Sequence, residues 1–263
     1  MAVTIDLTGR RALVCGASSG LGRAIATRFA EAGAELLVLS RSQDKLAALC
    51  DELRSKGAPQ ATPVAVDMDD IVGFAHAIQN EVVASGPVHI CVHNTGGPAS
   101  GPLLEKTEEE MVRVFGRHQV TAHFLVRSLL GGMVQEGYGR FVNVLSTAAK
   151  EPIDNLGLSN TIRAGMIGWA KTLSRELPPN VTMNNVLPGY TATERLDELK
   201  AASGARTGQT AEQIEQGWVA SVPEGRIGQP EELAAAVLFL ASPLASYVRG
   251  HSLPVEGGSL RGL

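Results

Sequence analysis

Cysteine and aromatic residues are scarce in this chain: three cysteines among 263 residues, and aromatics at 4%. Cys15, Cys50 and Cys91 stand far apart, and two of them lie in apolar runs, so they make neither a disulfide framework nor a metal set. They are expected as small core residues in the reducing cytoplasm. No grouping of histidine, cysteine and carboxylate has ligand spacing, which predicts no catalytic metal. An excess of positive charge is also missing. A formal net charge of −4 offers no broad field for nucleic acid or anionic lipid. The longest apolar run, 234–241, is far shorter than the ~20 residues a spanning helix needs, so no membrane segment is expected. Met1 to Arg11 lacks the continuous hydrophobic stretch of a secretory signal.

What the chain does have is a core and a rhythm. Hydrophobic residues make up 44% and charged residues 19%, enough for a globular fold. Short β-branched or leucine-rich runs recur at 12–15, 36–39, 64–66, 88–92, 141–145 and 181–187, each followed by a stretch of helical apolar spacing. Leu21, Ile25 and Phe29 form one such stripe, and Ile162, Met166, Trp169, Leu173 and Leu177 another. Strand, helix, strand in repetition predicts an α/β, Rossmann-type, doubly wound parallel sheet of about seven strands in a single domain spanning 1–263. Ligands of such sheets bind at the carboxyl ends of the strands, where strand order reverses. A polar segment at about 190–217 breaks the rhythm after the sixth strand and reads as a lid over that face.

Strand one runs into Gly16-Ala17-Ser18-Ser19-Gly20-Leu21-Gly22 and on into a helix. Glycine permits a tight turn and close backbone approach, while unpaired N–H groups and the helix dipole favour a phosphate. Further landmarks follow in order: Asp67-Met68, Asn94-Thr95-Gly96, Ser146, then Pro188-Gly189 with Thr191 and Thr193. The closing segments Gly225 to Glu232, Phe239 to Ser242 and Val255 to Gly258 complete the series. Across essentially the whole chain these marks resemble the short-chain dehydrogenase/reductase family, most of all its 3-oxoacyl-carrier-protein reductase branch. The resemblance implies that the glycine turn with Ser18, Ser19 and Leu21 holds the pyrophosphate of a nicotinamide dinucleotide. It likewise implies that the Asp67 pair contacts adenine, the Asn94 segment the nicotinamide ribose, and Thr193 the carboxamide. It also implies a homo-oligomer, a tetramer or dimer, for which the helix with Met166 and Trp169 and the terminal Leu260 to Leu263 are candidate contacts.

The end of strand two reads Ser40-Arg41-Ser42 and carries no carboxylate. An acid there would hydrogen-bond a ribose 2′-hydroxyl and repel a 2′-phosphate, whereas Arg41 and its serines can accept the phosphate, so NADP(H) is favoured over NAD(H). The catalytic pattern departs from the family's. Reductases of the family place a tyrosine thirteen residues after the serine and a lysine four beyond it; here those positions hold Ser159 and Arg163. The family's asparagine in the preceding helix is matched to Gln119. A serine hydroxyl is a far weaker acid than a phenol, so another proton source is required, with Tyr190, Lys150, His93 and His118 as candidates. The resemblance thus implies a reductase of a carbonyl or related small-molecule substrate with a Ser146-Ser159-Arg163 site, in which Arg163 also stands among the cofactor-binding residues, in place of the lysine that holds the ribose. Two other readings stay open: a dinucleotide-binding protein with little turnover, acting as sensor or partner subunit, and a non-redox enzyme on the same scaffold.

Overall fold

A computed structural model describes residues 4–262; Leu263, one of the proposed oligomer contacts, lies outside the described residues, as do Met1 to Val3. Seven parallel strands form one sheet: β1 (Arg11–Cys15), β2 (Glu35–Ser40), β3 (Ala61–Ala65), β4 (Ile90–Asn94), β5 (Gly139–Val144), β6 (Val181–Pro188) and β7 (Ser252–Val255). Their order is β3-β2-β1-β4-β5-β6-β7, which reverses direction between β1 and β4. The crevice expected for a ligand opens above that pair.

Side-chain alternation explains how the sheet is covered on both faces. In β2, Leu36 and Val38 join one core cluster with Ile25, Phe29 and Leu240, while Leu37 and Leu39 join the other with Phe74, Leu125 and Met183. The first cluster is packed by α1 (Gly20–Glu31), α2 (Gln43–Ser55) and α9 (Pro230–Ala241). The second is packed by α3 (Ile71–Ser85), α5 (Thr121–Gln135) and α6 (Gly157–Glu176). β3 begins earlier than the apolar run suggests because Pro63 sits inside it. The strand lies at the sheet edge, where a missing N–H costs no ladder bond.

Two features were not foreseen. The short α4 (Glu108–Phe115) continues into α5 through one π turn, Gly116–Val120, a local widening of the helix found often at functional sites. The segment after β6, which sequence alone marks only as a break, forms two helices, α7 (Glu194–Thr207) and α8 (Ala211–Ala220). Thr193 caps α7, and Gly208 ends it with φ +72°, a conformation natural to glycine. Met166 is fully buried in the chain's own core, and Trp169 packs beside it.

Candidate active site and dinucleotide cleft

A single cleft of about 590 Å³ runs along the carboxyl ends of β1, β2, β4, β5 and β6. At its centre is the glycine turn. Gly16 and Gly20 adopt φ of +62° and +51°, and a Cβ on Gly16 would come within 2.8 Å of Asn94. Gly22 does not line the cleft: it packs beneath the turn, where an added Cβ would meet the Gly16 carbonyl oxygen at 2.1 Å. The N–H groups of Ser18 through Gly22 have no backbone acceptor among the described residues, and Ser19, the N-cap of α1, makes no side-chain cap. A helix start left open in this way is suited to a phosphate. Asn94 Nδ2 donates to the Cys15 carbonyl at 3.3 Å, tying the end of β4 to that of β1 beside the turn.

Toward one end the cleft is lined by Ser40, Arg41, Ser42, Asp67 and Met68, all anticipated, and by Lys45, which was not. Lys45 sits in the first turn of α2, and its backbone N–H is capped by Ser42 Oγ. It escapes a motif search because only the helix brings it back over the loop. Arg117 also reaches this end but is paired with Asp69 through Nε at 2.6 Å, an ion pair that holds the Asp69 carboxyl below its ordinary range. The fit to a nicotinamide dinucleotide bearing a 2′-phosphate is good: glycines where a Cβ would collide, open N–H donors, and cations with no acid at the end of β2.

Toward the other end the lining comprises Thr95, Gly96, Ser146, Ser159, Arg163, Pro188, Gly189, Thr191, Thr193 and the first turns of α7. Ser146 caps a 3-10 turn, its Oγ accepting from Ala148 N at 3.1 Å, so its own proton remains free. Ser159 and Arg163 share one face of α6, as a four-residue spacing requires, and Arg163 Nε donates to Ser159 Oγ at 3.1 Å. The rest of the guanidinium is turned to the end of β5, where Nη1 donates to the Leu145 carbonyl. Burial, with Arg195 adding to it, lowers the Arg163 pKa to about 10, so the group stays cationic near neutrality.

The remaining proton-source candidates are placed plainly. Tyr190 does not reach the cleft: its ring stacks on Trp218 of α8 at 5.0 Å, and burial raises its pKa, both contrary to the role of acid. Lys150 is exposed and outside the lining. Gln119 turns away, toward a separate groove with Met111 and Phe115. The π turn instead buries its neighbour His118, whose Nδ1 lies 2.8 Å from Thr95 Oγ1. His93 is also buried, with Nε2 at 3.2 Å from Thr121 Oγ1. Burial and the nearby Arg163 push His118 down to about 2 and His93 to about 3, so both stay neutral and carry no imidazolium proton to donate. The inward residue of that helix is thus His118 and not Gln119. The one-residue difference arises from the extra residue of the π turn, invisible to periodicity.

Comparison with known proteins agrees with this architecture. A family model described as "Enoyl-(Acyl carrier protein) reductase" matches residues 16–259. A 3-oxoacyl-[acyl-carrier-protein] reductase of Vibrio cholerae is 35% identical over 257 residues, covering 97% of this chain and 98% of that protein. Among solved structures, L-sorbose reductase from Gluconobacter frateurii, complexed with NADPH and L-sorbose, superposes with a TM-score of 0.92 at 30% identity, covering 98% of this chain and 99% of that one. A further NADPH-dependent reductase, involved in bacilysin biosynthesis, gives a TM-score of 0.91 at 28% identity, covering 97% and 99%. With its parallel sheet, glycine turn and ordered landmarks, the chain belongs to the short-chain dehydrogenase/reductase family of oxidoreductases.

Proposed function

We propose that the protein is a cytoplasmic NADP(H)-dependent reductase of a small carbonyl or related substrate, working with Ser146, Ser159 and Arg163 where relatives in its family use serine, tyrosine and lysine. One observation carries this reading: open N–H donors, a cationic loop without an acid at the end of β2 and a free serine hydroxyl line a single continuous cleft. NADPH, when bound, supplies a hydride. Ser40, Arg41, Ser42 and Lys45 would hold its 2′-phosphate, and the Gly16 to Leu21 turn its pyrophosphate.

The chain's own part in the chemistry is electrostatic. Ser146 donates its free hydroxyl proton in a hydrogen bond to the substrate oxygen. Arg163, cationic and buried, stabilises negative charge developing on that oxygen without having to give up a proton. Ser159 holds Arg163 in place by accepting from Nε. The proton that completes reduction comes from water entering the cleft. The α7 and α8 segment acts as the lid that admits and then excludes that water.

The test is NADPH oxidation against 3-oxoacyl thioesters, ketoses and oxo acids. Turnover with one class supports the reading. Tight NADPH binding with no turnover against any class transfers support to the dinucleotide-binding sensor or partner subunit.

The homo-oligomer is proposed through α4 and the N-terminal half of α6. Met111, Val112 and Phe115 are exposed on α4 beside an apolar groove of about 410 Å³ shared with Leu158, Ile162 and Gly165 of α6. A second copy seated on this face buries it. Light scattering after gel filtration should give a dimer or tetramer, and Phe115→Glu a smaller species.

A further inference from the structure

The cleft's cations are divided between its two ends, and at the catalytic end Arg163 has no carboxylate partner while Arg195 has only the exposed Glu198, itself on the lining. Arg163 is buried, 8% exposed, and makes no ion pair among the described residues. Its Nε and Nη1 are taken by Ser159 and the β5 carbonyls, while Nη2 has no protein acceptor. A second cation faces the same space from above. Arg195, in the first turn of α7, donates through Nη2 to the Pro98 carbonyl at 2.7 Å and lies against Gly97. A cation there opposes the dipole of its own helix. Its carboxylate partner, Glu198, is 64% exposed, which leaves that pair weak. Glu194, also on the lining, pairs with neither arginine. Burial lowers the Arg163 pKa, and the nearby Arg195 adds to it.

Two guanidinium groups held toward one cavity, one of them desolvated, favour an anion that accepts from both. The phosphates of a dinucleotide would lie along the glycine turn and the Arg41 end, and the nicotinamide riboside carries none, so the cofactor leaves this charge uncompensated. The position of Arg163 adds a constraint. It bonds the carbonyl of Leu145, the residue immediately before Ser146, so the cation and the hydroxyl that meets the substrate oxygen are neighbours. An anionic group close to the reducible carbonyl would meet this cation.

We propose that the substrate is a 2-oxo acid, its carboxylate shared by Arg163 and Arg195 and its oxo oxygen held by Ser146. This rests on the reductase reading above. The hydride adds to the oxo carbon, the C=O π bond opens, and the oxygen takes one proton from water to give a 2-hydroxy acid and NADP⁺. Arg195 also couples the anion to the lid, since it bridges α7 to the 97–98 loop through its bond to the Pro98 carbonyl.

The experiment uses the full chain saturated with NADP⁺ and titrated with oxamate, an unreactive 2-oxo acid isostere, or with oxamide, its uncharged counterpart, followed by calorimetry. Oxamate should bind at least about tenfold more tightly, the expectation for hydrogen bonds to a charged group. Arg195→Gln should erase that preference, Arg195→Lys should retain part of it, and the NADPH dissociation constant should be unaffected by either. Equal binding of oxamate and oxamide overturns the proposal. So does an Arg195→Gln variant that weakens NADPH itself, because the arginine would then belong to the cofactor's phosphates. The two readings fail separately. Reduction of neutral ketones with no oxamate selectivity removes the anion site and keeps the reductase, whereas selective oxamate binding with no turnover of any oxo acid does the reverse.

Discussion

The two ends of the cleft were built under different constraints. The nucleotide end follows from backbone geometry: a turn that only glycine can make, a helix start with unpaired N–H donors, and a loop without acids. Each of those is dictated by local sequence. The catalytic end is assembled from side chains on β5, α6 and α7, brought together only by the fold. There Ser159 and Arg163 stand where a phenol and an amine are expected from the family resemblance. The contrast teaches that holding the dinucleotide and transferring the proton are separable tasks. The first is a property of the turn, and the second of a few exchangeable side chains.

The largest effect that can break the comparison is restoration of the acid. Ser159→Tyr with Arg163→Lys should raise kcat/KM for carbonyl reduction by about 100-fold or more, the usual contribution of a positioned general acid. No gain in steady-state rates would mean that the catalytic end has diverged beyond these two positions. At the nucleotide end, Arg41→Gln with Lys45→Gln should raise the NADPH dissociation constant about 10–100-fold while leaving NADH binding unchanged. Fluorescence titration of both dinucleotides reads this directly, and a parallel loss of NADH affinity would contradict the assignment.

A smaller effect separates the ends by pH. His93 and His118 have folded-state pKa values of about 3 and about 2, and burial lowers His89 as well. The unfolded chain protonates all three near about 6.5. Because the folded values are depressed, the stability they contribute is fully present above the unfolded value and is lost as pH falls below it. The slope reaches about 1.4 kcal/mol per pH unit for each of His93 and His118, with His89 acting in the same direction. Denaturant unfolding at about pH 7.5 and about pH 5.5 should show this loss, and His118→Gln should flatten it. A stability independent of pH over that interval would refute the buried, neutral histidines. The smallest effect concerns Tyr190, whose ring stacks on Trp218 away from the cleft. Tyr190→Phe should keep the stack and leave kcat/KM unchanged, and a pH-dependent loss of rate would return it to the proton path.

Most of the fold was legible because parallel strands buried on both faces write themselves as apolar runs. All six named runs became strands, displaced by a few residues at their ends, and β7 completes the seven. The nucleotide end was legible because its parts are local in sequence: Gly16 and Gly20 share one turn, and Ser40 and Arg41 adjoin at the end of β2. Lys45 and Arg195 were not assigned a place in the cleft; each comes to its edge in the first turn of a helix capped by an assigned residue, Ser42 or Thr193. His118, named as a proton source, is buried against Thr95 on a π turn that no hydrophobic period reports and does not line the cleft. Tyr190 was misplaced for a related reason. Its proximity in sequence to Pro188 and Gly189 suggested the nicotinamide face, but the aromatic surface of Trp218 offered its ring a better-buried partner.

The central claim is that the nucleotide end is complete and selects the 2′-phosphate even though the catalytic end has changed. Calorimetric titration of the unmodified chain with NADPH and with NADH tests it most directly. The structure predicts NADPH binding at least about tenfold tighter than NADH, in keeping with charge-assisted contacts from Arg41 and Lys45. Equal affinities, or no binding of either dinucleotide, would contradict it.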